Sequence, residues 1–294
     1  MCVDLHTHSY YSDGSASPAE LVQMAVDSEL RGIALTDHDT IEGIGEFLAQ
    51  GRTHELEVIP GLEINATHRD FSLHILGYGI DHRNSELIEW LGRLQEGRVR
   101  RNEQIIANLR TMGFDIHLHE LEAVSPCGQT GRPHIARLMK NKGIVQSTND
   151  AFALYLRNGC PAWADRFAYT AAESIEMIHR AGGLAVLAHP GILKQQAPAL
   201  SLVMAELVER GLDGIEAYYP THSSTLEKKM RKFARKYQLV LTGGSDYHGN
   251  HRTFSTMAGT RSGFCPPDSI LDSLRERLQT IRSAHSPQKQ NGIL

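Results

Sequence analysis

Gly32-Ile33-Ala34-Leu35-Thr36 is an apolar run of strand length that passes directly into Asp37-His38-Asp39, residues able to bind metals or move protons. A continuous apolar run is what a strand buried on both faces looks like. The same arrangement recurs outward from it. Upstream, Val3-Asp4-Leu5-His6-Thr7-His8 reads as a strand ending in polar groups. Downstream come Val58-Ile59-Pro60-Gly61-Leu62-Glu63 and Ser72-Leu73-His74-Ile75-Leu76-Gly77. Towards the other end lie Leu184-Ala185-Val186-Leu187-Ala188-His189-Pro190, Gly214-Ile215-Glu216-Ala217-Tyr218-Tyr219 and Leu239-Val240-Leu241-Thr242-Gly243-Gly244-Ser245-Asp246-Tyr247-His248. Most of these carry a metal-ligand type of residue within or just after the run.

Helical segments separate several of the runs. Ser17 is a predicted N-cap, with Pro18 at the first helical position, Glu20 closing a capping box, and Leu21, Met24, Ala25 and Val26 at helical spacing. Further helices are expected around 171–181, 200–210 and 223–237. Strand–helix alternation with functional groups at strand exits is the pattern of an α/β barrel whose C-terminal face carries the site. The strands are few and irregular, so a distorted barrel is expected. Residues 84–165 break the alternation, with a long charged helix at 85–112, a shorter one from Pro133 to Lys142, and no convincing strand pair. This block reads as a helical insertion between barrel segments 1–83 and 166–294. The polar tail from Ser283, with Pro287 and Gly292, is expected to fray.

Composition narrows the function classes. The 294 residues are 41% hydrophobic, which excludes a disordered chain. No apolar run approaches the roughly 20 residues of a membrane span, and nothing at the N-terminus reads as a cleaved signal, so a cytoplasmic protein without a membrane partner is expected. With 30 basic and 34 acidic residues there is no broad basic field for duplex DNA, although a local basic pocket stays compatible with this balance. Cys2, Cys127, Cys160 and Cys265 form no CxxC pair and read as reduced thiols of a cytoplasmic protein.

Sixteen histidines are the unusual feature. His6 and His8, two apart on a strand, project from one face and suit one ion. Asp13 follows on a turn, His38 leaves the second strand, and Glu63 and His74 fall on the next two. His189, Asp246 and His248 complete six imidazoles and three carboxylates. Nitrogen and oxygen donors without thiolate favour Mn²⁺, Zn²⁺ or Fe²⁺. Nine donors exceed the needs of one ion, so a two- or three-metal centre bridged by Glu63 is expected. His54, His68, His82, His117, His119, His179, His251 and His285 fall in helices, loops or the tail and read as ordinary.

Cations and helix starts point to an anionic substrate. In Gly131-Arg132-Pro133-His134, Pro133 fits the start of a helix and places Arg132 and His134 at its anion-binding end. Arg98, Arg100, Arg101 and Asn102 cluster on the long helix, where Arg98 and Asn102 share a face. His222, after Tyr218-Tyr219-Pro220, is a weaker candidate.

The motifs D-L-H-T-H-S-x-x-S-D-G at 4–14, T-D-H-D at 36–39, G-L-E at 61–63, L-A-H-P at 187–190 and G-S-D-Y-H-G at 244–249 resemble the polymerase-and-histidinol-phosphatase (PHP) family, in particular its stand-alone phosphatases and exonucleases. The resemblance implies a distorted (β/α)7 barrel with two or three divalent ions, Mn²⁺ first and Zn²⁺ or Fe²⁺ as alternatives, hydrolysing phosphoesters. It carries metal-ligand roles onto His6, His8, Asp13, His38, Glu63, His74, His189, Asp246 and His248, none of them substituted. It also places the helical insertion over the metals, which favours substrate contacts from Asn102, Arg132 and His134. Glu63 would sit beside the attacking hydroxide, and Asp246 or His248 would supply the proton for the leaving oxygen. The substrate it suggests is a nucleoside 3′,5′-bisphosphate such as pAp, losing its 3′-phosphate to leave the 5′-monophosphate. Short RNA, cleaved by a 5′→3′ exonuclease, and histidinol phosphate are the enzymatic alternatives. A metal-binding accessory module of a polymerase is the non-enzymatic one, and the complete ligand set counts against it.

Overall fold

The computed structural model describes residues 1–123, 129–193, 200–251, 256–259 and 263–285. Seven strands form one sheet in chain order, β1 (Cys2–Thr7), β2 (Leu30–Leu35), β3 (Glu57–His68), β4 (Phe71–Tyr78), β5 (Leu184–Leu187), β6 (Gly214–Tyr218) and β7 (Val240–Gly243). All neighbouring pairs are parallel except β3–β4 and β4–β5, so β4 runs against the rest. Here the strand–helix alternation fails. Only Arg69 and Asp70 separate β3 from β4, too short for a parallel crossover, and Arg69 turns the chain at φ +53°. Beyond β7, Tyr247 forms a parallel bridge with Thr7 of β1, and the His8 amide donates to the Tyr247 carbonyl at 2.9 Å.

The helices are α1 (Pro18–Asp27), α2 (Ile44–Thr53), α3 (Ser85–Thr111), α4 (Leu118–Ala123), α5 (Arg132–Asn141), α6 (Thr148–Ala151), α7 (Ala171–Arg180), α8 (Pro190–Leu193), α9 (Leu200–Glu209), α10 (Ser224–Tyr237) and α11 (Ser269–His285). The capping box expected at α1 is present: the Glu20 amide donates to Ser17 Oγ at 3.0 Å, and the Ser17 amide donates to Glu20 Oε2 at 2.7 Å. Helix α11 continues through His285 and so takes the first three residues of the stretch expected to fray; 286–294 lie outside the described residues.

Strand side chains divide between two apolar clusters. Leu62, Ile64 and Ile75 pack with Leu21, Phe47, Ile178 and Met204 of the covering helices. Val3, Leu5, Leu76, Tyr78 and Val186 gather on the other face under Leu271 and Leu274 of α11. A third cluster, with Ile105, Leu109, Ile135, Met139 and Leu156, lies wholly within the chain between β4 and α7, where the described residues form no strand.

One sequence expectation is overturned. Cys2 and Cys265 are joined in a disulfide, although they are 263 residues apart. The lack of a CxxC pair excludes only a local bridge; here the fold brings the start of β1 to the segment before α11. Cys160 is a free thiol, and Cys127 lies outside the described residues. No helix among the described residues is long and apolar enough to cross a membrane.

Candidate functional site

Two buried carboxylates that are not candidate ligands shape the loops carrying the cluster. Asp37, just past β2, accepts from the Ser9 amide (2.8 Å) and from the Ser9 and Ser12 hydroxyls (both 2.6 Å), curling the chain after His8 towards Asp13. Asp4 accepts from the Ser245 amide (2.8 Å), the Ser245 hydroxyl (2.6 Å) and the Ala258 amide (2.9 Å), tying the exit of β7 against β1. Burial pushes both carboxyls up, and their hydrogen bonds counter it. Gly244 permits this approach, because a Cβ there would stand 2.3 Å from the His6 amide nitrogen.

These ties bring all nine candidate ligands into one buried cluster. Three overlapping groups have donor atoms within 4.8 Å of one another: His8, Asp13, His38 and His248; His6, His8, Glu63 and Asp246; and His38, Glu63 and His74. Glu63 stands at the centre. Its Oε2 lies 2.9 Å from His38 Nδ1, 3.3 Å from His8 Nε2 and 3.4 Å from His6 Nε2, while its Oε1 lies 2.7 Å from His74 Nδ1 and 2.9 Å from His189 Nε2. On the outer side, His248 Nε2 is 3.1 Å from Asp13 Oδ1. The strand ends of β1, β2, β5 and β7 supply most of the set, whereas Glu63 and His74 come from within the antiparallel pair β3–β4.

The charge states within the cluster depend on each other. Burial works against the Glu63 and Asp13 carboxylates, but surrounding histidines hold both well below the usual range. Burial also disfavours protonation of His6, which Glu216, Glu63 and Asp246 outweigh, so it is raised. His8 is lowered by burial and by His248 and His38 beside it, and burial brings His74 down to about 4. Buried His6 Nε2, His8 Nε2, Asp13 Oδ1, His38 Nδ1, Glu63 Oε2 and His248 Nε2 make no hydrogen bond among the described residues, although oxygens and nitrogens face each other closely. A set of hard and borderline donors converging without hydrogen-bond geometry fits divalent cations. No cysteine belongs to the three groups. Asp39, His189 and Asp246 have φ of +53°, +27° and +53°, conformations that non-glycine residues hold only where the surroundings enforce them.

Above the cluster is a cavity of about 350 Å³ lined by Glu63, His74, His189 and Asp246 on one side and by Arg101, Arg132, Trp163 and Arg166 on the other. Arg132 lies over the Trp163 ring at 4.8 Å from its centroid. His134 is buried, accepts from the Gly131 amide at Nδ1 (3.2 Å), and borders a smaller space beside Asp13 and His38. Asn102 is also buried, but its amide donates to the Thr130 carbonyl (3.1 Å) and hydroxyl (2.9 Å) and holds the approach to α5. His222 Nε2 accepts from the Gly191 amide (3.1 Å), which fixes the turn after His189.

Sequence reading gave three residues no individual role. Glu216 receives His6 Nδ1 at 2.9 Å and the His189 amide at 2.6 Å; its signal was a carboxylate inside the apolar run of β6. Arg101 is only 5% exposed, yet its Nε makes no hydrogen bond among the described residues, and burial together with Arg98, Arg166 and Arg132 brings it down to about 8. Arg166 reaches Asp39 at 3.0 Å from an irregular segment whose sequence carries no pattern to find it.

The PHP domain family matches residues 4–155, and the 5′-3′ exoribonuclease Rnm of Escherichia coli K12 is 32% identical over 249 residues, covering 83% of this chain and 84% of the relative. The chain belongs to the PHP family. A second PHP relative, the 3′,5′-nucleoside bisphosphate phosphatase of Chromobacterium violaceum, is 30% identical over 250 residues, covering 84% of this chain and 87% of its own. A solved structure from Bifidobacterium adolescentis, assigned to the metal-dependent phosphoesterases, superimposes with a TM-score of 0.85 at 26% identity, covering 94% of this chain and 96% of that one.

Proposed function

We propose that this PHP protein is a metal-dependent phosphoesterase that removes the 3′-phosphate of nucleoside 3′,5′-bisphosphates such as pAp, leaving the 5′-monophosphate and phosphate. The observation that carries the reading is the 350 Å³ cavity with His38, Glu63, His74, His189 and Asp246 of the ligand cluster along one side and three guanidiniums opposite. Its size is at the lower end of the roughly 300–1,000 Å³ usual for small-molecule sites. Arg101, buried with its Nε making no hydrogen bond among the described residues, leaves positive charge for a substrate anion to neutralise.

His6, His8, Asp13, His38, Glu63, His74, His189, Asp246 and His248 would hold two or three divalent ions, Mn²⁺ first and Zn²⁺ or Fe²⁺ next. Such ions lower the pKa of a water and neutralise charge on the phosphoryl oxygens. Glu63, kept ionised by its histidines, would orient the attacking water by accepting a hydrogen bond from it. Asp246 and His248 are the groups placed to pass a proton to the departing O3′; Tyr219 donates to Asp246 Oδ2 at 2.9 Å and fixes that carboxylate. Arg132 and Arg101 bind substrate phosphate, His134 supports the Asp13 side, and Asn102 positions the chain entering α5.

The fold is read as a distorted (β/α)7 barrel formed by 1–83 and 166–294, supported by the Thr7–Tyr247 bridge. Residues 84–165 form the cap, supported by their separate apolar cluster and by Arg101, Arg132 and Trp163 on the cavity wall.

A phosphate-release screen with Mn²⁺ tests the assignment, using mononucleotides, 3′,5′-bisphosphates, histidinol phosphate and 5′-phosphorylated RNA. Bisphosphates are expected to turn over fastest, and His189→Ala or Asp246→Ala to abolish turnover with an unchanged circular dichroism spectrum. Preference for RNA or for another small phosphate, or full activity in both variants, overturns it.

A further inference from the structure

The Cys2–Cys265 bridge has one buried and one exposed partner. Cys2, at the start of β1, is 1% exposed, whereas Cys265 is exposed on the irregular segment that leads from His248 to α11. Among the described residues of that segment the regular structure is a single 3-10 turn, Gly249–His251. The bridge fastens this segment to strands that carry candidate metal ligands. Beside it the Val3 amide donates to the Pro266 carbonyl at 3.2 Å, and Cys2 pairs with Pro267 in an isolated antiparallel bridge. Pro266 also packs on Gly243 of β7, where a Cβ would stand 3.2 Å from the Pro266 Cβ.

The same segment reaches the ligand loop through one carboxylate. The Ala258 amide donates to Asp4 Oδ2 at 2.9 Å, and that oxygen also accepts from the Ser245 hydroxyl at 2.6 Å, while Oδ1 accepts from the Ser245 amide at 2.8 Å. Asp4 lies midway between Cys2 and His6 on β1, and Ser245 directly precedes Asp246. Asp246 holds a φ of +53°, a conformation that its surroundings must enforce. Asp4 is fully buried, so a lost donor costs its desolvation and the remaining bonds must rearrange. A continuous set of contacts thus runs from the bridge through Asp4 to Asp246 and His248.

We propose that the bridge is a redox switch on the metal centre: a low-molecular-weight thiol opens it, the segment carrying Ala258 loosens from Asp4, and the loop bearing Asp246 and His248 holds its ions less tightly. For its effect the inference rests on the metal-dependent reading of the site. A thiolate attacks Cys265 Sγ, on the exposed side, and the S–S bond breaks with its electron pair on Cys2 Sγ, which takes a proton. A second thiol then attacks the outer sulfur of the mixed disulfide and releases Cys265, which is protonated in turn. Two thiols are oxidised to one small disulfide, and the bridge gains two electrons and two protons. Exposed disulfides are the ones that thiols reach and that serve regulation.

The test starts from oxidised protein whose free thiols are capped with iodoacetamide, and compares it with the same protein opened by excess reduced glutathione and with Cys265→Ser. New thiols are counted first: a bridge that stays closed in excess glutathione overturns the switch. One readout is calorimetric titration of Mn²⁺ into chelator-treated, glutathione-free protein. The other, without metal, is hydrogen exchange at the Ser245 and Ala258 amides, set against the amides of α5. Opening is expected to weaken Mn²⁺ binding about tenfold, the low end for losing a residue that supports a metal ligand. Exchange at Ser245 and Ala258 is expected to quicken about tenfold more than in α5. Reoxidation restores both, and Cys265→Ser matches the opened protein. Unchanged Mn²⁺ affinity on opening, or exchange that quickens equally in α5, overturns the switch, as does a variant that binds Mn²⁺ as tightly as the oxidised protein. If neither form binds Mn²⁺, the metal-dependent reading fails, and exchange alone decides whether the bridge governs the loop: faster exchange at Ser245 and Ala258 supports it and equal exchange refutes it.

Discussion

Glu216 shows how a residue outside the ligand set governs a ligand within it. It is fully buried in β6 and receives His6 Nδ1 on one oxygen and the His189 amide on the other. That contact directs His6 Nε2 towards Glu63 and Asp246 and makes the ring a better donor. Glu216→Gln keeps the shape but removes the charge. The expected outcome is a loss of about 10–100-fold in metal affinity, read by calorimetric titration of Mn²⁺ into chelator-treated protein. Unchanged affinity would remove this role. His6 and His8 were legible from their spacing alone, because period-two alternation is local. Glu216 was not singled out, since a carboxylate within a strand has no defined partner until β1 and β6 are placed in space.

Asp39 does comparable work between elements. It follows β2, is fully buried, and joins the strand exit to α3 through Arg98 Nε at 3.0 Å and to the 163–167 segment through Arg166 at 3.0 Å. Its other oxygen accepts from the Asn65 amide of β3 at 3.0 Å. Burial would raise this carboxyl, but Arg98 and Arg166 outweigh it and hold it below the usual carboxylate range. A carboxylate whose pKa is lower folded than unfolded contributes its full stabilisation above about pH 4 and loses it as the pH falls towards the folded value. Asp39→Asn leaves two guanidiniums without a counter-charge and is expected to cost about 3 kcal/mol near neutrality. Urea unfolding across pH should show the difference from the unaltered protein narrowing below about pH 4; a gap constant with pH would rule out the ion pairs as its source. The helix boundaries were legible here, since caps and apolar spacing are local signals. The T-D-H-D motif marked the strand exit, but which cations would meet Asp39 depended on how α3 lies over the sheet.

At the scale of the whole molecule, the Cys2–Cys265 bridge joins the first strand to the segment before the last helix. The expectation of reduced cysteines, one ground for a cytoplasmic setting, is thereby withdrawn. Closing so long a loop restricts the unfolded chain, so reduction is expected to lower stability by about 2–4 kcal/mol. Thermal unfolding with and without reductant measures it, and Cys2→Ala should melt like the reduced protein and ignore the reductant. Equal melting in both conditions would mean that the bridge adds nothing.

The sequence by itself determined the α/β class, the order of strands and helices, and the nine ligand candidates. These rest on local periodicity, capping and the ordered motifs at strand exits. Only the tertiary structure decided that β4 runs against its neighbours, that Glu216, Asp39 and Arg166 support the site, and that Cys2 meets Cys265. Each of these is a contact between residues distant along the chain, and a buried charge or thiol has no identifiable partner until the strands are assembled around it.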